Sequence, residues 1–109
     1  MSDLDFTLCN ISIMISRNKS KDYEQQVISR YTVLMSFLKK HSLILKEPFD
    51  ESGHLKVNLI VKKSDVTEKG LELFRKTVPA WHAYVDKGGN VENITKLERA
   101  LEKIENSLR

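Results

Sequence analysis

Apolar residues recur every three to four positions through most of this chain, and every second position in one stretch. From Ser20 or Asp22 to about Lys40, Tyr23, Val27, Tyr31, Leu34 and Leu38 share one helical face, widened by Ile28, Met35 and Phe37. So wide a stripe predicts a substantially buried helix. Lys39, Lys40 and His41 close its last turn, where cations suit the helix dipole.

Leu55, Val57, Leu59 and Val61 alternate with Lys56, Asn58, Ile60 and Lys62, which predicts a strand with one core face. Leu43, Ile44 and Leu45 can form a second short strand. The turn cluster at residues 48–53 would then join the two as a hairpin. A lone hairpin is marginal in water, so it must pack on the helices.

Asp65, with Glu68 three residues on, has the form of a capping box. The helix it opens carries Leu71, Phe74, Val78, Trp81 and Val85, with Pro79 inside the pattern. Proline lacks an amide donor and crowds the preceding turn, so a kink or break is expected near Thr77 and Val78. Gly88 or Gly89 would end that helix. A final helix starts between Asn90 and Asn93, with Thr95 and Glu98 as a second capping pair. Its stripe is Ile94, Leu97, Leu101, Ile104 and Leu108.

Residues 4–16 read both ways. Leu4, Leu8, Ile11 and Ile15 fit a helical stripe, whereas Ile11, Ile13 and Ile15 alternate as in a strand. Asp3 or Asp5 could cap a helix, and the expectation is set there. The sum is a mainly α domain of three to four helices with a short β-hairpin packed on it.

Composition narrows the class. A chain of 109 residues makes one domain, and 40% hydrophobic with 30% charged residues is a globular mixture. The single cysteine, Cys9, excludes an internal disulfide and a cysteine-based zinc site, and points to a reducing compartment. It reads as a small buried hydrophobe. The acidic start lacks the basic region of a signal peptide, and no apolar run approaches the roughly 20 residues needed to span a membrane. A cytoplasmic protein is expected. The net charge is +3 with both signs interleaved, so the clustered cationic stripe of a nucleic-acid binder is missing.

Chemistry is sparse. His41, His54 and His82 sit in three different elements without metal-ligand spacing. Trp81 belongs to the apolar stripe, and His82 falls beside it as a boundary residue. No glycine-rich phosphate cradle exists. No catalytic residue, metal or cofactor is expected, and the chain does not read as an enzyme. The polar turn with Asp50, Glu51 and His54, and the outer strand face with Lys56, Asn58, Lys62 and Lys63, are candidates for a partner surface.

The stretch Ser64-Asp65-Val66-Thr67-Glu68-Lys69-Gly70, then Trp81, then Asp86-Lys87-Gly88, then Leu97-Glu98-Arg99-Ala100-Leu101-Glu102-Lys103, resembles small bacterial immunity proteins of contact-dependent growth inhibition systems. The likeness covers about residues 55–105, and Pro79 departs from it. The resemblance implies a protein that binds and neutralises a cognate toxin, often a nuclease domain at the end of a secreted effector. Basic nucleases would be met by acidic residues, which singles out Asp50, Glu51, Asp65, Glu68 and Glu72. A small helical nucleic-acid-binding regulator is the alternative. The apolar load of the Trp81 helix speaks against it, since a recognition helix needs a polar outer face.

Overall fold

A computed structural model describes residues 6–17 and 20–107. Asp3, Leu4, Asp5 and Leu108, named above as caps and stripe positions, lie outside the described residues. The first described segment is part strand and part helix, but not at the positions the two readings named: the alternating Ile11, Ile13 and Ile15 lie in the helix, and Leu8 of the helical stripe lies in the strand. Strand β1 (Thr7–Asn10) passes directly into helix α1 (Ile11–Ser16). Asn10 makes the change by accepting the Ile13 amide at its side chain as the N-cap.

Helix α2 (Lys21–Lys40) is the long helix the apolar stripe predicts. The Ser20 hydroxyl accepts the Asp22 and Tyr23 amides at its start. Val27, Tyr31, Leu34, Met35, Phe37 and Leu38 are its buried positions.

Strand β2 (Ile60–Lys62) runs antiparallel to β1, with Cys9 opposite Val61 and Asn10 opposite Ile60. An antiparallel two-stranded ribbon is therefore present. One strand, β2, lies at the end of the alternating run, but its partner is β1 and not residues 43–45. Residues 43–45 contribute only a bridge between Ile44 and Val66. The run from Leu55 to Val61 is interrupted as well. The Leu59 amide donates to the Lys56 carbonyl in a turn, which swings Val57 out to 54% exposure while Leu55, Leu59 and Val61 stay buried.

A 3-10 turn (Lys63–Asp65) leads to helix α3 (Glu68–Lys76). The expected Asp65–Glu68 box does not cap it. Thr67 is the N-cap, its hydroxyl accepting from the Gly70 amide. Asp65 instead accepts the Lys62 amide and pairs with Lys46 at 3.1 Å. Gly70 is required by close approach: a Cβ there would lie 2.7 Å from the Leu43 carbonyl oxygen.

The chain divides before Pro79 at one shared residue. Thr77 both ends α3 and opens helix α4 (Val78–Asp86), with the proline in the first turn of α4, where a missing amide costs nothing. This break and the six-residue α1 bring the helices to five. Gly88 adopts φ +99 after α4, the left-handed conformation glycine tolerates.

Helix α5 (Thr95–Ser107) packs on α3 and α4. Asn93, rather than a Thr95–Glu98 box, caps it by accepting the Thr95 amide and hydroxyl. Trp81 is fully buried between these helices, and its indole N–H donates to the Asn93 carbonyl at 3.1 Å.

Candidate functional site

The eight residues singled out by sequence fall into three places. Asp50, Glu51 and Lys56 line one shallow concavity with Lys39, Glu47 and Phe49. His54 closes that loop, its amide donating to the Asp50 carboxylate, which also accepts from Ser52. These bonds, with the His54 amide foremost, hold the Asp50 carboxyl below its usual range. The loop is therefore a self-satisfied turn.

Lys62 and Asp65 sit together at the end of β2. Glu68 and Glu72 lie on α3, where Glu72 pairs with Lys76 one turn on at 2.8 Å. Among the described residues no cluster of His, Cys, Asp or Glu is arranged to hold a metal ion.

One feature extends the sequence reading and one escaped it. The first is the outer side of the ribbon, whose lysine face the alternation marks as a candidate partner surface but whose exposed apolar residues it does not. Every large hydrophobic residue left exposed among the described residues belongs to it or to its flanks: Phe6, Ile13, Leu45, Val57 and Ile60. Hydrogen bonds knit these positions together. The Lys63 amide donates to the Phe6 carbonyl, and the Leu45 amide to that of Asp65. The Ser12 hydroxyl donates to the Val57 carbonyl, and Lys46 to the Ile60 carbonyl. Arg17, Lys46, Lys56, Lys62 and Lys63 belong to the same segments, against Glu47 and Asp65, so cations outnumber anions there. Exposed large apolar residues concentrated in neighbouring segments make these segments a candidate interaction surface.

The second feature is a cleft of about 280 Å³ between α2 and α4, with Met14 of α1 at one side. Arg30 spans it. One guanidinium nitrogen pairs with Asp86 at 2.9 Å, and the other meets His82 Nδ1 at 3.5 Å. His82 Nε2 lies 3.3 Å from the Tyr31 hydroxyl. The imidazole tautomer decides the polarity of these contacts, and the Arg30 neighbour selects one. Guanidinium can only donate, so His82 Nδ1 accepts and the neutral ring carries its proton on Nε2. That proton is donated to the Tyr31 oxygen.

Burial, and then the Arg30 charge, push the His82 pKa down, while Asp86 opposes them. Burial, aided by Cys9, raises the Tyr31 phenol to about 12, which keeps it protonated. Cys9 itself is buried as expected, and the same desolvation lifts its thiol to about 11.

Sequence held one trace of this site. His82 and Asp86 are four apart, and so share a face of α4. Nothing in the sequence connects them with Arg30 and Tyr31, some fifty residues earlier.

The fold and its surfaces define a small mainly α domain with a two-stranded ribbon, an exposed apolar-basic face and a polar cleft. Comparison of the chain with protein-family models, curated protein sequences and solved structures finds no match. No helix among the described residues is long and apolar enough to cross a membrane.

Proposed function

We propose that this protein is a cytoplasmic immunity protein, acting by occupying a cognate toxin domain with the outer face of its ribbon. The observation that carries the binding role is that the exposed large hydrophobics among the described residues, Phe6, Ile13, Leu45, Val57 and Ile60, all fall in the ribbon and in the segments hydrogen-bonded to it. The toxin as partner rests on the sequence resemblance over about residues 55–105.

The position of the face changes what the partner must look like. The acidic residues expected to meet a basic nuclease are dispersed, and Asp65 is already engaged by Lys46 and the Lys62 amide. Exposed apolar residues in segments rich in lysine fit a partner surface with an apolar patch and an acidic border. Such a protein would neutralise a nuclease by docking away from its cationic substrate groove.

The lysine surplus is the one observation that favours the nucleic-acid reading. Exposed Leu45, Val57 and Ile60 in the same segments oppose it. So does the division of the proposed recognition helix at Thr77, with Trp81 turned inward.

Co-expression with the toxin domain encoded beside this chain is the test. Rescue of growth and co-purification are expected, both lost in a Leu45→Asp, Ile60→Asp double variant that retains the wild-type circular dichroism. Failure of the wild-type chain to rescue or co-purify would remove the immunity reading. Salt-sensitive retention on DNA would favour the regulator instead.

A further inference from the structure

The bond polarity of the α2–α4 cleft leaves it rich in donors. Arg30 donates to His82, and His82 donates to Tyr31. The Tyr31 hydroxyl therefore retains a proton of its own, and no acceptor for it is found among the described residues. Tyr31 and Gln26 both line the cleft, as does Arg30, whose side chain is only 20% exposed. A cation, an amide-bearing and a phenol-bearing residue thus line one recess of about 280 Å³. The anion that neutralises Arg30 is Asp86, whose side chain is 65% exposed and tethered by that single contact. A carboxylate so open to water is easily exchanged for another oxyanion of better fit.

We infer that the cleft between α2 and α4 is a binding site for a small oxyanion, a carboxylate or phosphate group, held by Arg30 and Tyr31 in place of Asp86. Arg30 would grip two of its oxygens in the planar, bidentate manner of guanidinium, and the Tyr31 hydroxyl would donate to the ligand. The site shares no side chain with the ribbon patch, and does not depend on the partner proposed for that face.

The experiment is a titration of the full-length, 15N-labelled protein at constant ionic strength, with inorganic phosphate in one arm and acetate in the other. Saturable shifts confined to Gln26, Arg30, Tyr31 and His82 are expected, and the tighter of the two arms identifies the preferred group. Asp86→Asn, which removes the competing carboxylate, should tighten binding. Arg30→Gln should weaken it by about tenfold or more, the cost of losing charge-assisted bonds. Tyr31→Phe should weaken it about threefold, as for one neutral bond. Should Arg30→Gln fail to fold, the other two variants decide the matter. The inference is overturned if shifts grow without saturation across surface lysines. It is equally overturned if Asp86→Asn and Tyr31→Phe leave affinity unchanged.

Discussion

On the ribbon, Leu45 and Val57 stand more than half exposed with lysines around them. In the cleft, Arg30, Tyr31 and His82 are withdrawn from solvent, and each has a polar partner. The two regions are built from similar material, since both combine large side chains with cations. They differ in what each side chain does for the fold. Removing an exposed ribbon leucine deprives the core of nothing. Removing a cleft residue leaves a half-buried partner unsatisfied, which costs stability. Binding and stability should therefore respond to different substitutions in the two places.

The comparison breaks most visibly at Trp81, whose ring underlies His82 with centroids 5.4 Å apart. Trp81→Ala should cost about 3–5 kcal/mol, measured by urea denaturation, because it empties the core beneath the cleft and orphans the Asn93 carbonyl. A loss below about 1 kcal/mol would mean that the indole is not the anchor of α4.

The Leu45→Asp, Ile60→Asp variant reverses the pattern. Partner affinity should fall by about thirtyfold or more, the mark of an interface hot spot, with the unfolding midpoint close to wild type. An unchanged affinity with the cognate domain would move the interface elsewhere.

Just below neutral pH, before the carboxylates titrate, acid should act on the cleft. The folded protein holds His82 below its ordinary value of 6.5, so the unfolded chain takes up the proton first as pH falls. Stability is full above that value. It is lost as pH drops through 6.5 towards the folded-state pKa, with a slope of at most about 1.4 kcal/mol per pH unit for one proton. His82→Gln should flatten this part of the stability profile. A profile equally steep in the variant would assign the effect to other groups.

The smallest effect is expected from Tyr31→Phe. It keeps the ring in the core and removes one hydrogen bond, about 0.5–1.5 kcal/mol by thermal unfolding, without changing partner binding.

Helix periodicity made much of this fold legible. The α2 stripe, the inward Trp81, the buried Cys9 and the division forced by Pro79 all stand where local pattern placed them. Such features depend on neighbours within a turn or two, and local chemistry settles them. Capping was less readable: Thr67 and Asp65 both suit an N-cap, and only the pairing of Asp65 with Lys46 and the Lys62 amide decided between them. Residues 4–16 were misleading because neither periodicity matched its element: Ile11, Ile13 and Ile15 alternate yet form α1, and Leu8 of the helical stripe lies in β1.

By itself, then, the sequence determined a mainly α domain, its long helices and most of its core. Only the tertiary structure decided which strands pair, since β1 and β2 are joined by about fifty intervening residues and backbone hydrogen bonds carry no sequence label. It alone turned Val57 outward from an alternating run, and so completed the ribbon patch. It alone brought Arg30 and Tyr31 against His82 and Asp86, because that contact depends on how α4 lies across α2, a geometry set by the packing of Trp81 and its neighbours.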